Sequence, residues 1–359
     1  MLRKLLDTPV APNLPLAPQA YDAHFQDVHS NVLRLFFNRL VVTLQALLGV
    51  RGGKYLNTPY GSFYDTTSQY DGSTTIPYAI RLNSTDVSNG VTVEPREVVS
   101  TASIASTTMT VTAIASGRFY PGMLLSGTSV TSGSYVYLQL SSTAAVATSH
   151  SFVSGGAPAA TTVVLDSVDG VEARQFISGT GVPANTRVVS VDTGTKTVTV
   201  SAAFTVQAAG TYSFRPWGYE GTYSVSPAQT VSSTTVSGVT YSKITVAQAG
   251  VYNIQFSFLY ANPSGSEYDV DIWFARNDVT IANSNSQFTV PKKHGSTNGH
   301  LVAAMNFFVS MQINDYVEIL WHAEGTSVFI EAVGAQTNPL RPAAPSTIVT
   351  VSFVSALPE

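Results

Sequence analysis

Between Ser242 and Phe258 the chain reads SKITVAQAGVYNIQFSF. Tyr252, Ile254, Phe256 and Phe258 fall on one side of an extended backbone, and Asn253, Gln255 and Ser257 on the other. An apolar and polar alternation with period two marks a half-buried β-strand, since one register step would turn every side chain to the wrong face. Ile244 and Val246 alternate in the same way before Ala249-Gly250. The expectation is a hairpin whose two strands meet at that glycine turn.

The C-terminal half offers many partners for this strand. Tyr268, Val270, Ile272 and Phe274 alternate with Asp269, Asp271 and Trp273. Leu301, Ala303, Met305, Phe307, Val309 and Met311 form one face of the next long strand. Val317, Ile319 and Trp321 follow, then Val328 and Ile330, then Val349, Val351 and Phe353. Turn signals at Asn277-Asp278, Asn314-Asp315 and Gly325 separate them. Residues 61–95 carry shorter strands, with Asp71-Gly72 and Asn89-Gly90 as turns. This pattern predicts a mainly β chain built on an antiparallel jelly-roll sandwich, formed by residues 61–95 and 217–359.

Residues 97–216 differ in character, with few aromatics and many Ser, Thr, Ala, Val and Gly. They also repeat. Thr107-Thr108-Met109-Thr110-Val111 precedes Leu125-Ser126-Gly127-Thr128, and Thr161-Thr162-Val163-Val164-Leu165 precedes Ile177-Ser178-Gly179-Thr180. The spacing of about fifty residues is that of a small repeat module. Two tandem all-β repeats are expected here, inserted into a loop of the sandwich where insertions are tolerated. They read as a spacer or as surface-displayed modules, with display slightly favoured.

Residues 1–60 are a separate element, a proline-rich arm followed by an anchoring helix. Pro9, Pro12, Pro15 and Pro18 favour extended chain. Asp22 to Leu48 contains no Gly or Pro and is expected to be a helix, stopped by Gly49 and Gly52-Gly53. Leu33, Phe37, Leu40, Leu44 and Leu47 form a short heptad seam and are the candidate oligomerisation and anchoring residues. Val32, Leu35, Phe36, Val41, Val42 and Leu48 make the other faces apolar as well, so the helix needs burial on most sides. Its length would suffice for a bilayer, but Arg34 and Arg39 would each cost a few kcal/mol in lipid. Packing against its own copies and a docking partner is the reading adopted, with no membrane span.

Chemistry is sparse. Charged residues make up 11% of the chain, the net charge is −4, and no basic surface for nucleic acid is expected. There is no cysteine, and so no disulfide or thiolate chemistry. The start MLRKLLDTPVAPNLPLAP lacks the apolar core of a signal peptide. Asp269 and Asp271 are the one carboxylate pair that a glycosidase mechanism could use, and their alternation fits a solvated strand face better. His24, His29, His150, His294, His300 and His322 match no metal-ligand spacing. No catalytic residue, metal or cofactor is assigned, and no receptor-binding residue.

GSFYDTTSQYDGS, LNSTDVSNGVTV, SKITVAQAGVYNIQFSF, DVDIWFARNDVTIANSNSQFTVPKKHGSTNGH, DYVEILWH and PSTIVTVSFV together resemble a jelly-roll domain of tailed-phage virion proteins, notably of phages infecting marine cyanobacteria. AGVYNIQFSF and DYVEILWH are more distantly similar to the trimeric complement globular-head and tumour-necrosis-factor jelly rolls. Ser178 to Thr186, SGTGVPANT, resembles modules of phage structural proteins, and the first copy departs from that phrase at Ser129-Val130. The resemblance implies a non-enzymatic, virion-localised homotrimer, a fibre or spike for host attachment. Residues 1–50 would bind other virion proteins, at the tail adaptor and portal region or at the capsid. The alternatives are a head decoration or head-fibre protein and a polysaccharide depolymerase. The Ser/Thr/Asn-rich surface suits a host-surface glycan as partner, and equally a passive exterior.

Overall fold

The computed structural model describes residues 12–14, 16, 19–48, 58–71, 74, 76–155, 159–206 and 209–357. The fold is mainly β, with one N-terminal helix, an antiparallel sandwich and an inserted pair of small all-β modules.

The sandwich is a jelly roll. One sheet orders strands β1 (Tyr60–Asp65), β9 (Thr347–Ser355), β4 (Gly250–Asn262) and β7 (Gly299–Met311). The facing sheet orders β3 (Gly221–Val246), β8 (Tyr316–Ala323), β5 (Tyr268–Arg276) and β6 (Ser286–Val290). β2 (Val91–Gly117) pairs with the free side of β3. The central strand β4 is flanked on both sides, Phe256 lying opposite Met305 on β7 and Val349 on β9. Tyr252, Ile254, Phe256, Phe258 and Tyr260 all point into the core, as the alternation predicts. They meet Val270, Ile272 and Phe274 from β5 and Ile319 and Trp321 from β8. Phe256 stacks on Phe258 with ring centroids 4.4 Å apart, and Phe274 stacks on Phe307 at 5.1 Å.

The expected hairpin at Ala249-Gly250 is corrected. β3 ends at Val246 in one sheet and β4 begins at Gly250 in the other, and the two strands do not pair. The apolar faces of Ile244 and Tyr252 point toward each other across the core, so the short connection is a corner between sheets. Asn314-Asp315 is a corner of the same kind, between β7 and β8, with Asn314 in the left-handed region (φ 65°). Asn277-Asp278 is a true hairpin loop: both residues have positive φ and the flanking Arg276 and Val279 pair.

A buried ion pair closes the N-terminal edge of the sandwich. Arg81 Nε donates to Asp65 Oδ2 at 3.1 Å, and its Nη2 donates to Thr67 Oγ1 and to the Ser68 carbonyl. Arg81 also extends to the Gly122 carbonyl of the inserted region at 3.4 Å.

The two inserted modules share one fold and are nested. In the second, six strands run in the order 176–178, 211–215, 148–155, 162–165, 197–200 and 188–192. The first repeats this order with segments of β2 and β3. Leu124–Gly127 pairs with 236–239 of β3, that part of β3 pairs with 97–100 of β2, and 221–224 pairs with 108–111 and with Tyr135–Ser142. β2 folds over at Ser106 (φ 58°), opposite residues 225–228 of β3, which have no partner in β2. The whole second module is therefore spliced in between the fourth and fifth strands of the first. Tyr223, Val225, Val231 and Val236, which the sequence reading gives to the jelly roll, belong to the core of the first module.

The repeat holds down to single hydrogen bonds despite the altered phrase in the first copy. Val130 N donates to Gly127 O and Val182 N to Gly179 O, each at 3.2 Å. Ser134 Oγ donates to Thr131 O at 2.6 Å, and Thr186 Oγ1 to Pro183 O at 2.7 Å. The second glycine of the intact phrase, Gly181, has φ 75°, and an added Cβ would lie 1.7 Å from Val206 O.

Phe258→Ala should lower the unfolding free energy of the sandwich by about 3–5 kcal/mol, because a fully buried ring between two sheets leaves a cavity. Guanidinium titration followed by Trp fluorescence measures it; a loss under about 1 kcal/mol would contradict this packing.

Candidate functional site

Two regions have surplus chemistry: the helix, and the junction where the sandwich, the modules and the stem formed by paired β2 and β3 meet. The helix α1 spans Ala23–Leu48. Asp22 caps it, its Oδ1 accepting from His24 N at 2.9 Å. The seam residues Leu33 and Leu40 are half-buried, while Phe37 and Leu44 are exposed. Leu47 lies in α1, but its side chain is outside the described residues. Off the seam, Leu35, Val41 and Val42 are exposed too, Val42 to 59%. Large apolar side chains thus face solvent around the helix. No helix among the described residues is long and apolar enough to cross a membrane.

At the junction, Arg96 on β2 points toward the sandwich, with only 6% of its side chain exposed. Its Nε donates to Glu318 Oε1 at 2.8 Å, Nη2 bonds Glu318 Oε2 and Asp278 Oδ1, and Nη1 donates to Tyr120 Oη at 2.9 Å. Ser242 Oγ donates to Glu318 Oε1 at 2.6 Å, and Tyr316 Oη to Asp278 Oδ2 at 2.8 Å. Burial alone would lower the Arg96 pKa, but its carboxylate partners, Glu318 first, outweigh it and hold the guanidinium above its ordinary value. Partial burial would raise Asp278; the Tyr316 hydrogen bond and the Arg96 charge outweigh it and set Asp278 below the usual carboxylate range.

Behind this ion pair lies a cavity of about 570 Å³. Tyr120 and Trp217 meet edge to face at 5.2 Å on its wall. Arg118 stacks over Trp217 at 4.6 Å and donates through Nε to Tyr120 Oη at 2.6 Å. Arg174, from the second module, stacks over the same indole at 4.9 Å. Arg187 lies over Phe176 at 4.6 Å and lines the adjoining recess with Arg174 and Trp217. Arg96 takes both Glu318 and Asp278, and among the described residues no carboxylate forms an ion pair with Arg118, Arg174 or Arg187. Burial and then the nearby Arg118 lower Arg174; burial and then Arg174 bring Arg187 down to about 10.

Asp269 and Asp271 lie two apart on one face of β5. Asp269 accepts from Thr289 Oγ1 at 2.6 Å and Asp271 from Asn285 Nδ2 at 2.9 Å, so each carboxylate is tied to a neighbouring polar side chain. His300 Nε2 pairs with Glu331 at 2.9 Å, His294 lies in a tight loop with Thr297, and His150 contacts Thr148 and the Asp169 carbonyl. Among the described residues no group of His, Asp or Glu could hold a metal ion. The arginines of the junction escaped the sequence reading because they come from distant segments. One signal was present: superposing the repeats sets Arg174 on Gly122.

No protein-family model matches the chain, and no curated protein matches it. Among solved structures, the insecticidal delta-endotoxin Cry8Ea1 of Bacillus thuringiensis matches over 94% of this chain and 74% of its own. The identity is 11% and the TM-score 0.18, a likeness too slight to bear on fold or function.

Glu318→Leu should cost about 3 kcal/mol, because it strands the buried Arg96 guanidinium. Asp278, with its pKa lowered on folding, contributes stability that is present above its unfolded value and lost as pH falls through the folded one. Asp278→Asn should therefore melt below the wild type at pH 7 and lose less on going from about pH 5 to pH 3. Parallel melting curves across that range would refute the linkage.

Proposed function

We propose that this chain is a non-enzymatic structural protein of a tailed-phage virion, a homotrimeric fibre or spike anchored through its N-terminal helix and displaying its β-domains for host-surface adhesion. One observation carries the reading. The sandwich and both modules close their own hydrophobic cores, whereas α1 leaves Leu35 and Phe37 each 54% exposed. An isolated helix with that much apolar surface gains from burial against copies of itself and a docking protein. The sequence resemblance to phage virion jelly rolls supplies the particle, and the symmetric trimer follows from the same likeness. The inserted modules, spliced into the β2–β3 stem, add folded surface beyond the sandwich without interrupting its core. Three copies on one axis would give weak contacts to host glycan the benefit of multivalency.

The purified chain should run as a trimer in light scattering at micromolar concentration, and Phe37→Asp with Leu40→Asp should reduce it to monomers with unchanged β-sheet circular dichroism. A monomeric wild type removes the assembly. Antibody against residues 97–216, imaged by electron microscopy on intact particles, should label the tail. Label over the head would make the chain a capsid decoration, and no label on any particle would remove the virion reading.

A further inference from the structure

Arg174 is the most informative residue of the junction. It has φ 73°, a left-handed conformation that side chains other than Gly, Asn and Asp rarely adopt. The corresponding position in the first module is Gly122, with φ 83° and the same bond pattern: Gly122 N donates to Val136 O and Arg174 N to Val188 O, both at 2.8 Å. The backbone of this turn thus calls for glycine, and the second module carries an arginine there. Strain of that kind persists where the side chain has a task. The side chain does not make an ion pair. It stacks on Trp217 beside Arg118, with Arg187 in the adjoining recess, and among the described residues none of the three guanidinium groups forms an ion pair, although Asp278 and Glu318, both held by Arg96, also line the cavity. Glu172 also lines the cavity and forms no ion pair with them.

A guanidinium stacked by its face on an indole keeps its N–H edge free for a planar or tetrahedral oxyanion, which it can bind through two parallel hydrogen bonds. The cavity volume suits one or two sugar units. We propose that this junction cavity is a binding site for an oxyanion-bearing saccharide, a carboxylate or phosphate group seated on Arg118 and Arg174, which both line it and both stack on Trp217. Tyr120 and the rim carboxylates of Asp278 and Glu172 offer hydrogen bonds to the sugar hydroxyls. The ligand's negative charge relieves the repulsion between Arg118 and Arg174, and its seat spans stem and second module, so binding also stiffens their junction.

The test uses the full chain and isothermal titration with digalacturonate, inorganic phosphate and maltose. Saturable binding of digalacturonate or phosphate, weakening as salt is raised, is expected, with maltose inert. Digalacturonate alone identifies a carboxylate site and phosphate alone a phosphoryl site. Arg174→Gly is the decisive variant, since it gives the turn the residue its backbone suits. It should melt no lower than the wild type and lose at least about tenfold in affinity. No binding of either anion up to about 10 mM overturns the proposal, as does equal binding of maltose or affinity unchanged in Arg174→Gly and Arg118→Gln. The site does not depend on the assembly proposed above: a monomeric protein that binds anions keeps this inference and loses the trimer.

Discussion

The antiparallel pairing of β2 with β3 is the contact on which the rest of the molecule depends. It begins inside the sandwich, where Val91 lies opposite Val246, and continues without a chain break into the first module, where Val111 lies opposite Gly221. Ile244 and Thr245 also pair with β8, so the same strand is a member of the jelly roll and the backbone of the insertion. A flexible linker would let the modules swing. A shared ladder of main-chain hydrogen bonds makes bending costly, because each step away from the sheet leaves backbone donors and acceptors unpaired. The Arg96 ion pair braces that ladder from the side, joining the stem to Glu318 and Asp278 of the sandwich.

Nesting follows from how each unit closes. A six-stranded module of this size needs all its strands to bury a core, and the first module is completed only when β3 returns with Tyr223, Val225, Val231 and Val236. The second module enters before that return and leaves again between Thr211–Arg215 and Gly221, so it closes its own core around Val163, Val198, Tyr212 and Phe214. Each inner unit is thus complete before the outer one resumes.

Much of the sandwich was legible because alternation is a local signal. Tyr252 to Phe258 declare their buried face without reference to any partner, and so do Leu301 to Met311. What alternation does not encode is which sheet a strand joins. Ala249-Gly250 reads as a hairpin turn by composition and is a corner between sheets, since the distinction depends on the packing of Ile244 and Tyr252 across the core. The module boundary was hidden for a related reason: Tyr223 and Val225 resemble jelly-roll strand residues and are recruited elsewhere by their pairing with Gln139 and Val136. The junction arginines come from distant segments, Arg118 and Arg174 being more than fifty residues apart, and the repeat alone marks one of them, by setting Arg174 where the first copy has Gly122.

The contrast between Arg96 and its three neighbours separates structure from function at the junction. Arg96 is buried, pinned by two carboxylates and a phenol, and its charge is spent within the protein. Such an arrangement fixes geometry. Arg118, Arg174 and Arg187 lie in loops at the same junction, yet they are matched to aromatic faces instead of acids. Aromatic faces steady a guanidinium without neutralising it. In a chain with so few charged residues, setting Arg118 and Arg174 on one indole without an ion pair raises the folding cost of the junction, and a left-handed arginine raises it further. A spacer whose task was only to hold two modules apart would have no use for that cost. A surface-exposed module that must hold an anion would.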